Sequence, residues 1–122
     1  MEQKLIQHLT TKKAWEEALL TGKYQTSTRE KTLAQVGFIH ASFPEQLQSV
    51  AAFAFADCID ELVVLQMNIE ALTNHGITVR VEVGGNGQNY PHIYGPIPCN
   101  LVDVVTPAFM NSEGKLIIDG QV

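Results

Sequence analysis

The sequence predicts one α+β domain, and three observations carry that expectation. Its 122 residues, 45% hydrophobic and 17% charged, suit one compact domain with a core of its own. Ile77 to Val83 alternates, with Ile77, Val79, Val81 and Val83 facing one way and Thr78, Arg80 and Glu82 the other. Roughly six strand-like runs and two helices occur with little strand–helix–strand alternation, which favours α+β over α/β.

Taken in order, Lys4 to Thr10 reads as a strand, with Leu5 and Leu9 on one face and Ile6, His8 and Thr10 on the other. Thr11 caps a helix over Lys12 to Leu20, whose apolar stripe pairs Trp15 with Leu19 and Ala14 with Ala18. Gly22 stops it. Ser27-Thr28-Arg29-Glu30 fits a capping box, predicting a short helix toward Gln35. Gly37 to Ser42 is a second strand with Phe38, His40 and Ser42 on one face. Ser42-Phe43-Pro44-Glu45 is a second capping box, opening a helix to Phe55 that buries Leu47, Val50, Ala51 and Ala54.

After a turn at Asp57 to Asp60, Leu62 to Ile69 starts apolar on both faces, as a central strand does. One helical turn at Glu70 to Leu72 leads to the Asn74-His75-Gly76 turn and the alternating strand. A glycine-rich loop, Gly84 to Asn89, precedes an extended piece that Pro91 and Pro96 keep out of a helix. Leu101 to Thr106 is a further strand. Residues 1–107 form the main body, and 108–122 are an extension of the same domain, a hairpin or an edge strand.

The composition also excludes. With a net charge of −5 and scattered Lys and Arg, the chain has no basic footprint for DNA, although a small nucleotide would not need one. Val50 to Ala56, the longest apolar run, falls far short of the ~20 residues that span a bilayer. With no secretory signal and two isolated cysteines, Cys58 and Cys99, a cytoplasmic protein with reduced thiols is expected.

Four places put two polar side chains around one apolar or small residue: His8-Leu9-Thr10, His40-Ala41-Ser42, Arg80-Val81-Glu82 and His92-Ile93-Tyr94. In extended chain each pair shares a face. Such alternation also describes the solvated face of an antiparallel sheet. Repeated histidine, the side chain suited to proton transfer near neutrality, favours a shared cleft. No closely spaced ligand pair supports a metal site, and the glycine loop lacks the following helix of a dinucleotide fingerprint.

His8-Leu9-Thr10 with Trp15, Gly22 and Tyr24, then Gly37-Phe38-Ile39-His40-Ala41-Ser42 with Gln46, Glu82 and Pro91-His92-Ile93-Tyr94-Gly95, resembles the small bacterial family DUF952 over about Lys4 to Pro107. That family is considered similar to the ADP-ribosyltransferase superfamily. The resemblance implies a small fold of that type, with two short, mostly antiparallel sheets forming a cleft for NAD, and two main helices. His8 would then hydrogen-bond an NAD ribose hydroxyl, although Leu9 stands where that superfamily branch has glycine. Glu82 would steady positive charge developing at the anomeric carbon. His40 and Tyr94 would line the nicotinamide side, and His92 would be base for an acceptor. Thr10, Ser42, Tyr94 and Gly95 would contact substrate. The partner expected is a small-molecule nucleotide, with NAD as substrate and no cofactor required.

Two other readings stay open. His8-Leu9-Thr10 and His40-Ala41-Ser42 also resemble the paired motifs of two-histidine phosphoesterases, which act on cyclic phosphates by acid–base catalysis. A non-catalytic pocket for a nucleotide or metabolite is the other.

Overall fold

The computed structural model describes residues 5–29 and 31–119, so Lys4, Glu30 and the last three residues, named above, lie outside the described residues. In chain order the first elements are β1 (Leu5–Thr11), α1 (Lys12–Thr21), β2 (Lys23–Tyr24), β3 (Thr26–Thr28), β4 (Lys31–Thr32), α2 (Leu33–Val36), β5 (Ile39–His40) and α3 (Leu47–Ala54). Then come β6 (Leu62–Asn68), α4 (Ile69–Asn74), β7 (Thr78–Val83), β8 (Asn89–Tyr94), β9 (Ile97–Pro98), β10 (Val104–Met110) and β11 (Leu116–Ile118). The result is a mixed α/β chain with four helices and several small antiparallel sheets among the described residues. Among the described residues no helix is long and apolar enough to cross a membrane.

The larger sheet has the order β1-β6-β10-β11. Both faces of the apolar strand β6 are covered, as its sequence requires. Val63, Leu65 and Met67 join Ile6, Trp15, Tyr24, Ile39 and Ile93 in one cluster, while Leu62 and Val64 join Leu9, Leu47, Ala51 and Phe55 in another. Ile6, Leu65 and Met67 are wholly buried, each contributing about 1.5–3 kcal/mol from burial. The smaller sheet, β5-β8-β7, sets Ile39 and Ile93 into the first cluster and turns its alternate residues away from it. A backbone bridge joins the two sheets, where the N–H groups of Gln7 and Ser42 each donate to the other's carbonyl at 2.8 Å.

Helix ends follow their chemistry. Thr11 Oγ1 accepts from Ala14 N–H at 3.1 Å, and Gly22 closes α1 at φ 84°. Leu19, expected on the buried stripe of α1, is 54% exposed.

Two local expectations are corrected. Buried Ser27 donates its hydroxyl to the Phe38 carbonyl, so it does not open a helix. The chain forms the β3–β4 hairpin instead, and Thr32 with Gln35 forms the capping box, of α2. Ser42 does not cap the next helix either; it is buried at the sheet junction. Gln46 Oε1 accepts from Phe43 N–H at 3.0 Å, opening a 3-10 turn at Pro44–Gln46 ahead of α3. β10 continues through Pro107 to Met110 and then pairs with β11, so the tail is both hairpin and sheet edge. Pro107 is tolerated because its ring nitrogen points to the β11 side, opposite Asp119, where the β11 pairing ends.

Candidate functional site

β5, β8 and β7 lie side by side, and their registers set His40 and Arg80 on either flank of His92. The alternation read in the sequence thus gathers residues from three separate stretches on one face. His92 Nδ1–H donates to Glu82 Oε1 at 2.8 Å, and the Tyr94 hydroxyl donates to the same oxygen at 2.5 Å. These two bonds, the hydroxyl's first, hold the Glu82 carboxyl below its ordinary pKa. By the same contact Glu82 raises Tyr94 above its own. Arg80 lies over the Tyr94 ring at 5.2 Å.

Phe38, one residue ahead of β5, packs against this group. Its ring stacks on His92 with centroids 4.0 Å apart and meets His40 edge-on at 4.8 Å. The His40 and His92 rings are 5.4 Å apart. Burial, and then the neighbouring His92, lower the pKa of His40 below 6.5, so His40 is neutral at pH 7. With Nδ1–H committed to Glu82, a neutral His92 carries its lone pair on Nε2. A carboxylate-oriented imidazole beside a second, neutral imidazole is an arrangement for moving a proton.

Phe38, His40 and His92 of this face border a cleft of about 770 Å³, whereas Glu82, Tyr94 and Arg80 lie outside its lining. Phe38, His40 and His92 line one side; Val50, Phe53 and Ala54 of α3 line another, and Gly84 to Asn86 with Tyr90 form a rim. Val50 and Ala54, expected as buried helix positions, are half-buried here because they face this space. Gly84 lies under the Tyr90 ring, where a Cβ would come within 2.8 Å of two ring carbons. Asn86 Nδ2 donates to the Tyr90 hydroxyl at 2.7 Å, and Gln46 Nε2 donates to the Asn89 carbonyl at 2.8 Å. The loop is thereby tied to its own strand and to the foot of α3.

The remaining expected site residues are placed differently. His8 borders the cleft but is 2% exposed, and both its ring nitrogens are engaged. Nδ1 faces the His40 carbonyl, which only accepts, so Nδ1 carries the hydrogen. Nε2 then accepts from the Tyr24 hydroxyl at 2.6 Å. Burial lowers the His8 pKa to about 4. Its ring offers no nitrogen to a ligand hydroxyl; it supports the backbone of His40. Thr10 is buried beside the Tyr24 hydroxyl, Ser42 is buried at the cleft's inner edge, and Gly95 is away from the lining. Leu9, on the opposite face of β1, packs with Leu47 and Phe55.

Phe38, Gln7 and the α3 wall were not singled out from the sequence. Phe38 shares the alternation of His40 and was legible in it; the α3 wall reads as ordinary helix core. Among the described residues no three His, Cys, Asp or Glu side chains converge as metal ligands.

No protein among curated sequences matches the chain. It is similar in structure to protein CC0527 from Caulobacter crescentus, with 25% identity, a TM-score of 0.78 and 93% of each chain covered. A double mutant of that protein gives 27% identity, a TM-score of 0.77 and the same coverage. The family model DUF952, described as a protein of unknown function, matches residues 9–105. With most of its length matched, from β1 to β10, this chain belongs to the DUF952 family.

Proposed function

We propose that the cleft binds the ring-and-ribose end of an NAD-like nucleotide, and that His92, oriented by Glu82, is the base of an ADP-ribosyl transfer. The observation that carries this reading is the 2.8 Å bond to Glu82 from Nδ1 of His92, a residue that lines a cleft of about 770 Å³. The volume suits a small organic ligand.

In the proposed step an acceptor hydroxyl gives its proton to His92 Nε2, and its oxygen bonds to the anomeric carbon of the ribose. The bond from that carbon to the nicotinamide nitrogen breaks, its electron pair neutralising the pyridinium. Glu82 then stabilises the imidazolium it already holds. Because Glu82 Oε1 accepts from both His92 and Tyr94, its contribution runs through these side chains. Neutral His40 lines the same side, and His8 positions it from beneath.

The test is a titration with NAD and with ADP-ribose, following the amide shifts of Phe38 to Ser42 and Gly84 to His92, with assays of nicotinamide release. Binding and release in the wild type, with release lost in His92→Ala, is the expected result. Binding without release points to a passive pocket. Silence toward both ligands, with turnover of a 2′,3′-cyclic phosphate, overturns the proposal in favour of a phosphoesterase.

A further inference from the structure

Resting on the reading of the cleft as a ligand site, we infer that the enclosed part of the ligand is a ring group without negative charge that donates an N–H to Gln7. Gln7 lies on β1, next to the Ser42 junction, and lines the cleft. Its Nε2 donates to Gln66 Oε1 at 3.4 Å, which leaves Oε1 over. That oxygen is buried and has no hydrogen-bond partner among the described residues, the one such side-chain atom found there. A buried acceptor left unpaired is costly, and the cost is removed by a ligand that brings a donor.

The charges around the cleft point the same way. Among the described residues lining it there is no Lys or Arg. Arg29 is engaged with Asp57 at 2.5 Å, and Arg80 lies over Tyr94. His92, even when protonated, is balanced by the Glu82 carboxylate. An anion in the interior would therefore be desolvated with no compensating cation. Apolar Leu9, Val50, Phe53 and Phe55 suit a flat ring instead. Carboxamides and exocyclic amines on heteroaromatic rings supply the N–H; carboxylates and ring carbonyls at the same position do not.

The experiment compares nicotinamide riboside with nicotinic acid riboside, and adenosine with purine riboside, which has no ring N–H or exocyclic amine, by amide shifts on the whole chain. The amide- and amine-bearing members should bind at least tenfold tighter, which is about 1.4 kcal/mol. In Gln7→Leu that preference should fall to within about threefold, about 0.7 kcal/mol. Equal binding in the wild type, or tighter binding of the carboxylate, overturns the inference and leaves the cleft reading intact. A preference undiminished in a folded Gln7→Leu also overturns it. If that variant does not fold, the wild-type comparison decides alone. No shift at Phe38 to Ser42 or Gly84 to His92 with any of the four ligands at millimolar concentration removes the cleft reading, and the inference with it.

Discussion

His8 should make this fold sensitive to acid by an amount that one side chain accounts for. The folded-state pKa lies at about 4, against 6.5 for a free imidazole, because burial disfavours the cation. Between those values the unfolded chain takes up a proton that the folded chain refuses. Stability is therefore intact above pH 6.5 and falls as pH drops toward 4. About 2.5 pH units at about 1.4 kcal/mol each give a loss on the order of 3 kcal/mol. The geometry gives the reason: a hydrogen added at Nε2 would point at the hydrogen of the Tyr24 hydroxyl that Nε2 accepts. Denaturant unfolding at steps between pH 7 and 4, on the wild type and His8→Gln, isolates this contribution from the carboxylates and the other histidines. The wild type should lose about 3 kcal/mol more than the variant across that range. Histidine nitrogen NMR should find His8 protonated at Nδ1 alone at pH 7. Parallel stability curves, or an His8 ring that titrates near 6.5 in the folded protein, would refute the reasoning.

Three further outcomes are expected. Glu82→Gln replaces the charged acceptor whose hydrogen bond raises Tyr94, so ultraviolet titration should show the Tyr94 phenol ionising at lower pH than in the wild type; an unchanged profile counts against the shared-oxygen geometry. Gln48 grips the Leu116 backbone from both sides, Nε2 to its carbonyl at 2.8 Å and Oε1 to its N–H at 3.2 Å. Gln48→Ala should cost about 1–2 kcal/mol in unfolding experiments, and should speed amide exchange at Leu116 by baring the β11 edge to solvent and other chains. Gly84→Ala should push the Tyr90 ring off its bed and weaken the Asn86 contact. A loss of about 1–3 kcal/mol is expected from such overpacking, read by thermal unfolding.

What could be read from the sequence was whatever a strand's two-residue period carries. Ile77 to Val83 and His92 to Tyr94 announced their faces, and these faces set Glu82, His92 and His40 together once the strands paired. The same period misled at His8, because a face that alternates polar and apolar does not reveal whether it meets solvent or a second sheet. His8 and Thr10 belong to a face that packs inward, and their polarity is satisfied by Tyr24 and the His40 carbonyl. Ser27 and Ser42 show the limit of capping signals: each hydroxyl has a tertiary carbonyl nearby, from Phe38 and Gln7, and neither caps a helix. The Gln7 oxygen was illegible for a different reason, since a missing partner exists only in three dimensions.

The grip of Gln46 has a consequence for how such clefts diversify. One side-chain amide spans from the foot of α3 to the backbone just ahead of Tyr90, so that linkage ties two walls of the cleft together. Exchanging it for a shorter or longer polar side chain would resize the entrance while leaving Glu82, His92 and His40 where they are.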